Sequence, residues 1–320
     1  MRVRAVLGIL TLIAAPLSAQ KTQRAQIIPV PDASWHPITK PDVESASTIV
    51  AVKRAGSIAH QSGELRVSAV IGGETPEMLL AAGANQLIFA GGAKPGDKED
   101  FLARACWFNG QGDPVRQILL VESRLVPESA AVAETLLALQ RDYDLVDAGA
   151  LTARGRIADR KIQVGAAGYE ALLLAPSDRW PEEMLDVVEQ YIDAGGRVLF
   201  LGRQPLSIQR LLLRTGVVRV SEAPEDIERG LNYAVGSDFH ASDSHTGADL
   251  PMVRYQHRSD GARDYFLIVN LDREHAAPAR FSIGGHGSIQ EWDLWTGVVS
   301  TMRLPMKEIP PAGVLAVVVR

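Results

Sequence analysis

The sequence predicts an α/β domain built on a parallel sheet, followed by an antiparallel β-sandwich and preceded by a partial βα segment. Two observations predict this order. Between residues 171 and 201 a strand, an amphipathic helix and a second strand follow one another, and two parallel strands need a crossover of this kind. Beyond Leu231 the chain changes to short strands separated by Gly, Pro and Asp, which is typical of a sandwich.

The strand-helix-strand unit is the clearest structural signal in the chain. Residues 171–175 (ALLLA) form an unbroken apolar run, which indicates a strand buried on both faces. Pro181 suits the first turn of the helix that follows, and Gly195 suits its left-handed end. Residues 198–201 form the second buried strand. The helix has one apolar stripe, formed by Met184, Leu185, Val187, Val188, Tyr191 and Ile192.

The segments around this unit extend it to a domain over residues 114–228. Their alternation of strand and helix predicts a flavodoxin-like or class I glutamine-amidotransferase-like layer. The loops beyond the strands contain neither a nucleophile elbow nor a glycine-rich phosphate loop, so the sequence favours a non-catalytic domain without a cofactor. The other predicted elements are strands at 117–121, 143–147, 161–164 and 217–220, helices at 127–140 and 205–213, and connectors at 147–158 and 221–228.

The predicted sandwich covers residues 229–320. Its strands are closely spaced and no helical pattern lies between them, which indicates antiparallel pairing. The predicted strands are at 254–257, 265–270, 279–283, 288–292, 298–303 and 314–319.

The first residues of the chain predict export. Residues 1–19 combine basic Arg2 and Arg4 with a short apolar run and small residues up to Ala19, as a secretory signal peptide does. An uncleaved anchor is the alternative. No later segment approaches the ~20 apolar residues of a membrane span. We therefore expect a periplasmic or secreted protein, in which the single Cys106 excludes an internal disulfide.

Composition excludes one class of partner. The 320 residues include 38 acidic and 33 basic side chains, for a net charge of -5, and the two signs are interspersed. This is not the basic footprint of a nucleic-acid-binding protein.

The N-terminal segment, residues 20–113, predicts a partial layer of strands and helices. After an extended lead-in at 21–41, a helix or strand is expected at 48–53 and a strand at 65–71. Thr75 as N-cap and Pro76 at the first position open a helix that runs to about residue 82, and residues 85–90 form another strand.

Four motifs of this segment resemble one region of the bacterial alpha-L-rhamnosidases of glycoside hydrolase family one hundred and six. They are SIAHQSG at 57–63, RVSAV at 66–70, TPEML at 75–79 and GANQLIF at 83–89. The resemblance implies a (β/α)₈ catalytic barrel in which His60, on a loop, and Asn85 contact substrate. It also implies a strand-ending glutamate, where this chain has Val70.

The C-terminal motifs resemble the sandwich of the same family. They are RYQHR at 254–258, DYFLIVN at 264–270, WDLWTG at 292–297 and the closing PPAGVLAVVV at 310–319. The resemblance therefore implies the C-terminal part of an alpha-L-rhamnosidase, with a shortened and degenerate remnant of the catalytic barrel at residues 20–113 and an inert α/β domain before the sandwich.

Two arguments oppose a working barrel. A (β/α)₈ barrel takes at least ~200 residues, whereas residues 21–110 supply 90. Glycoside hydrolysis usually needs two opposed carboxyl groups, and the only candidates nearby are Glu64 and Glu74. Both are interpreted as solvated turn residues, with a catalytic pair as the alternative.

The remaining candidates are aromatic or metal-ligating side chains. Trp107 could stack on a sugar or pack between domains, and packing is favoured for Trp292 and Trp295. The loop SDFHASDSHTGADL at 237–250 carries the metal-ligand types, but no fixed ligand spacing, so a solvated loop is favoured. Its candidate metal ligands are His240, Asp243 and His245.

These observations predict an exported, carbohydrate-associated protein that is catalytically inactive alone, with rhamnose-containing glycans or a partner chain as its partners. Three alternatives stay open. The chain could be an active glycoside hydrolase with an unrecognised carboxylate pair, a non-catalytic sugar-binding module, or a truncated product whose missing segment is encoded elsewhere.

Overall fold

The computed structural model describes residues 26–27, 48–72, 74–89, 95–123, 129–285, 287–302 and 306–320. The predicted signal peptide and most of the predicted lead-in lie outside these residues. No helix in the described part of the chain is long and apolar enough to cross a membrane.

A pair of parallel strands organises the N-terminal segment. Strands β2 and β3 pair from Ser68 opposite Gln86 to Ile71 opposite Phe89, and α2 connects them. Helix α2 begins as predicted, with the Thr75 side chain accepting the Met78 N–H and Pro76 in the first turn. The elements are β1 (Gln26–Ile27), α1 (Ile49–Ser62), β2 (Ser68–Ile71), α2 (Pro76–Ala81), β3 (Gln86–Phe89), α3 (Glu99–Phe108) and β4 (Asp113–Pro114).

Helix α1 replaces the loop that the family resemblance implies around His60. It begins at the Thr48 cap, which accepts the Ala51 N–H, and ends at Gly63, whose φ of 74° is left-handed. The Glu64 N–H then closes on the Ala59 carbonyl at 2.8 Å. The expectation of a loop at residues 57–63 is wrong, because these residues complete the last turns and the cap of one helix.

A five-stranded parallel sheet forms the centre of the fold, in the order β12-β11-β10-β5-β6. The strand-helix-strand prediction is confirmed, since β10 and β11 are parallel neighbours and Gly195, at φ 86°, follows the helix between them. The elements are β5 (Ile118–Glu122), α4 (Ser129–Ala138), β6 (Tyr143–Asp147), α5 (Ala148–Arg154), β7 (Gly155–Ala158), β8 (Lys161–Val164), β9 (Ala167–Tyr169), β10 (Ala171–Leu174), α6 (Glu182–Asp193), β11 (Arg197–Leu201), α7 (Gln209–Leu212), β12 (Val217–Val220) and α8 (Pro224–Ala234).

Both predicted connectors contain regular structure. Residues 147–158 hold α5, capped by Asp147, and β7, which opens the antiparallel sheet β7-β8-β9. The acidic residues after 221 open α8, where Pro224 occupies the first turn. Acidic side chains favour a helix N-terminus, and Ile227 with Leu231 buries the other face of α8.

Two antiparallel sheets form the C-terminal part, in the orders β1-β18-β17-β20-β15-β14-β4 and β13-β16-β19. Phe266 and Ile268 point into the core that the two sheets share. The alternate residues Leu267 and Val269 pack on the opposite side against the N-terminal helices. The larger sheet is therefore a middle layer. Its elements and those of the smaller sheet are β13 (Phe239–Asp243), β14 (Val253–Ser259), β15 (Asp264–Asn270), β16 (Ala277–Ile283), β17 (Ile289–Trp292), β18 (Val298–Thr301), β19 (Met306–Ile309) and β20 (Val314–Val319).

Substitution of Gly165 tests how closely α1 approaches the central domain. Gly165 has φ 61°, and a methyl group there would overlap the Gln61 carbonyl oxygen, which accepts the Ala166 N–H at 2.9 Å. We expect Gly165→Ala to lower the free energy of unfolding by about 2–4 kcal/mol, from backbone strain and overlap together.

The matched control is Gly261→Ala. Gly261 also has a left-handed φ, 81°, but open space around it, so only about 1–2 kcal/mol of backbone strain applies. Urea unfolding of both variants gives the comparison. Equal losses would contradict the close approach of α1.

Candidate functional site

The candidate site residues predicted from the sequence do not lie together in one site. Glu64 is exposed directly after α1, and Glu74 is half-buried directly before α2. The two therefore lie at opposite ends of β2, whose four residues rise about 10 Å. Their role as a catalytic pair stays a prediction.

Asn85 holds local backbone together. Its Oδ1 accepts the Val67 N–H at 2.8 Å, and its Nδ2 donates to the Leu65 carbonyl at 2.5 Å. These two bonds fix the entry to β2 from the start of β3. The Asn85 amide is therefore occupied by backbone hydrogen bonds. Substrate binding by Asn85 stays a prediction.

Trp107 and Trp292 form an aromatic cluster between α3 and the larger antiparallel sheet. Their rings are stacked, with centroids 6.0 Å apart, and Trp292 also meets Phe108 and Tyr265 edge to face. Trp292 is 7% exposed. The indole rings therefore contribute to the core between the N-terminal segment and the sheet.

The loop with the predicted metal ligands is partly a strand. His240 lies in β13 and its Nε2 is 2.8 Å from Asp249 Oδ1. Asp243 accepts the backbone N–H groups of His245 and Thr246 in the turn that follows, each at 2.8 Å. Within the described residues, no group of three or more His, Cys, Asp or Glu could hold a metal ion.

His60 belongs to a set of α1 side chains that cover the outer edge of the parallel sheet. Ser57 Oγ accepts the Leu145 N–H at 2.9 Å, and Gln61 Nε2 donates to the Leu145 carbonyl at 2.9 Å. His60 Nδ1 lies 2.5 Å from Asp144 Oδ2, which also accepts from the Tyr169 hydroxyl at 2.8 Å. Helix α1 thus supplies the partners that a neighbouring strand would otherwise give to β6.

A buried ionic network continues from this edge into the larger antiparallel sheet. Asp142 pairs with Lys53 of α1 and, at 2.9 Å, with Arg116 Nε. Gln256 of β14 accepts from Arg116 and donates to the Ala81 carbonyl at 2.7 Å. Buried charges are tolerated only when they are paired and hydrogen-bonded. The network therefore fixes the three parts of the fold against one another.

Two carboxylates in this region have lowered pKa values. Burial acts to raise the pKa of Asp144, but the hydrogen bond and charge of His60, with Arg116 and Lys53, outweigh it. Burial likewise acts to raise the pKa of Asp238, but the hydrogen bond and charge of His257 in β14 outweigh it. Both carboxylates are held ionised and act as hydrogen-bond acceptors.

A groove of about 370 Å³ lies between α3 and the larger antiparallel sheet. Trp295 lines it and is 54% exposed, with one face of its indole stacked on Phe101 at a centroid distance of 4.4 Å. Arg104, one turn along α3, donates to the carbonyls of Leu294 and Trp295 at 3.0 and 2.8 Å. Asp293 accepts the Trp295 N–H at 2.9 Å. The exposed indole is therefore firmly positioned.

Two ion pairs lie in the lining of the same groove. Lys98 donates to Glu77 Oε1 at 2.8 Å, and Lys307 donates to both Glu291 oxygens at 2.8 and 3.0 Å. Burial acts to raise the pKa of Asp293, but its bonds from Thr296 and Trp295 lower it. A general acid needs a raised pKa, so Asp293 suits hydrogen bonding to hydroxyl groups better than proton transfer.

A second cleft, of about 750 Å³, opens beyond the carboxyl ends of the parallel strands. Ser123, Gly149, Arg179 and Ser207 contribute to its lining. The possible bases among the described residues that line it are the carboxylates of Glu182 and Glu183, and within the described residues no hydrogen bond joins either of them to a serine of the cleft. The described lining therefore does not form a nucleophile with its base.

Comparison with solved structures shows that the fold is glycoside hydrolase-like. The chain is similar to a rhamnosidase from Novosphingobium sp. PP1Y, with a TM-score of 0.69 and 18% identity over 89% of this chain and 34% of that chain. It is also similar to the exo-carrageenase of Bacteroides ovatus (TM-score 0.52, 10% identity, 77% and 39% covered). A third similar structure is alpha-L-fucosidase isoenzyme 2 of Paenibacillus thiaminolyticus, with a TM-score of 0.50 and 12% identity over 86% of this chain and 57% of that chain.

Other comparisons give no match. No model of a protein family matches the chain, and no curated protein sequence matches it. The chain spans about a third of the rhamnosidase to which it is similar.

Stability is expected to fall as the pH is lowered through the acid range. Because the folded state lowers the pKa of Asp144, the unfolded chain binds the proton first, at the usual carboxyl value of about 4. The stabilisation is full above that value and is lost as the pH falls through the lowered one. Asp144→Asn should therefore flatten the acid side of the curve of unfolding free energy against pH.

The control for this measurement is Asp178→Asn, which changes an exposed carboxylate paired with Arg203 at the surface. Urea unfolding at a series of pH values from about 3 to 7 covers the range in which this loss begins. An acid slope in Asp144→Asn equal to that of the unmodified chain and of Asp178→Asn would contradict the ionised, buried state of Asp144.

Proposed function

We propose that this chain is an exported, carbohydrate-associated protein that binds rhamnose-containing glycans and does not hydrolyse them alone. The observation that carries the proposal is the likeness of 89% of this chain to 34% of a rhamnosidase chain. The likeness to a fucosidase and an exo-carrageenase supports a carbohydrate ligand in general. The finer assignment, to the C-terminal part of an alpha-L-rhamnosidase of family one hundred and six, rests on the motifs in the sequence.

The absence of hydrolysis is inferred from the carboxylates. Hydrolysis needs an acid and a base or nucleophile on either side of the scissile bond, about 5–9.5 Å apart. Glu64 and Glu74 are separated by β2, and Val70 stands where the resemblance implies a glutamate. In the groove, Glu77 and Glu291 are each paired with a lysine.

The parallel-sheet domain fits a supporting role. Its strand order, β6-β5-β10-β11-β12 when written from the α1 side, is the order of flavodoxin-like sheets. We therefore propose the flavodoxin-like or glutamine-amidotransferase-like type for it. The described lining of the cleft beyond its strands lacks a nucleophile with a base, which supports a layer without catalysis.

Export follows from the predicted signal peptide at residues 1–19. We propose cleavage after Ala19 and a periplasmic or secreted location. An isolated mature chain would then meet glycans outside the cytoplasm, where its single buried Cys106 leaves no internal disulfide to form.

The test measures binding and turnover in the same preparation. The mature chain is expected to bind an oligosaccharide with terminal L-rhamnose in isothermal titration calorimetry, and to release no product from an aryl alpha-L-rhamnoside. Glu64→Ala and Glu74→Ala should leave both results unchanged, because the proposal gives neither carboxylate a catalytic role.

Two results would contradict this proposal. Turnover that disappears in Glu64→Ala or Glu74→Ala would show an active hydrolase. Failure to bind any glycan, by a chain with the circular dichroism of a folded α/β protein, would remove the carbohydrate function altogether.

A further inference from the structure

We propose that the groove between α3 and the larger antiparallel sheet is the glycan-binding site, and that it takes a short neutral glycan ending in a deoxyhexose. This inference rests on the proposed function and adds the site, the contacting residues and the preference for a neutral sugar.

The first argument is the state of Trp295. The residue is 54% exposed, yet Phe101 stacks on one face of its ring and Arg104 and Asp293 bond its backbone. An aromatic ring that is already fixed loses little conformational entropy when a ligand binds. The exposed indole surface offers an apolar platform to the C–H face and methyl group of a deoxyhexose ring.

The second argument is the polar lining on either side of the indole. Lys98, Lys307 and Glu291 line the same groove, together with Glu77, which is 4% exposed. Each ion pair leaves further donor and acceptor positions, since an ammonium has three N–H bonds and a carboxylate about four lone-pair sites. Sugar hydroxyls can both donate to and accept from such groups.

The third argument is charge. The described lining contains four carboxylates, on Glu77, Glu291, Asp293 and Glu308, against two lysines. A uronate or sulfated sugar would meet net negative charge at close range, which disfavours its binding. The volume of about 370 Å³ lies at the small end of the range for ligand pockets, which suits a short glycan.

The test titrates the mature chain with a rhamnose-terminated trisaccharide and, separately, with an oligogalacturonate of the same length. We expect the neutral sugar to bind and the uronate to bind at least about tenfold more weakly. Trp295→Ala should weaken binding of the neutral sugar about tenfold or more. Trp295→Phe keeps an aromatic ring stacked on Phe101, so its affinity for the neutral sugar should fall less.

The matched control is Tyr233→Ala. Tyr233 is 56% exposed, on α8 outside the groove, so its removal should leave the affinity unchanged. Circular dichroism and thermal unfolding of each variant show whether the fold is kept.

The outcomes separate this inference from the proposed function. If folded Trp295→Ala and Trp295→Phe keep the full affinity, the groove is not the binding site, but the protein still binds glycans. Tighter binding of the uronate overturns the neutral specificity. No binding of either sugar by the unmodified chain overturns the proposed function together with the site. The proposal is supported if the affinity for the neutral sugar falls strongly in Trp295→Ala, falls less in Trp295→Phe and does not change in Tyr233→Ala.

Discussion

The outer edge of strand β6 is the constraint on which the rest of the structure depends. An open edge of a parallel sheet presents unpaired N–H and C=O groups, and burial without partners would be costly. Ser57 and Gln61, one turn apart on α1, bond the N–H and the carbonyl of Leu145. A helix therefore completes the sheet where a further strand could have continued it, and the N-terminal segment is held to the central domain.

The same contact positions the candidate site. From the β6 edge, the buried network of Asp142, Arg116 and Gln256 reaches β14 of the larger antiparallel sheet. The face of that sheet that carries Gln256 also packs against the N-terminal helices, which brings α3 over the turn after β17. Phe101 and Arg104 of α3 then hold Trp295 in an exposed but fixed position. The groove is thus a consequence of how the helices are seated on the sheet.

Local signals decided which features could be predicted from sequence. The strand-helix-strand unit was predictable because the apolar run at 171–175, the apolar stripe of the helix and Gly195 at its end all indicate the same fold. Helix α1 was predicted only in part, as a helix or strand at 48–53, because the family likeness implied a loop around His60. Its contacts from Ser57 and Gln61 reach a strand 84 or more residues away and leave no local signal. The sequence contains a helix-start signal for α8 at Pro224, but residues 221–228 were interpreted as a connector because they are acidic. Trp292 and Trp295 look alike in sequence, and packing was favoured for both. Residues of α3 contact both rings, but Trp292 is 7% exposed and Trp295 is 54% exposed.

Amide hydrogen exchange at Leu145 tests the central claim most directly, in the unmodified chain and in the double variant Ser57→Ala/Gln61→Ala. The account predicts that the Leu145 amide exchanges much faster in the variant, while Leu173, in the middle of the sheet, keeps its protection. Unchanged protection at Leu145 in the variant would contradict the claim that α1 completes the edge of the sheet.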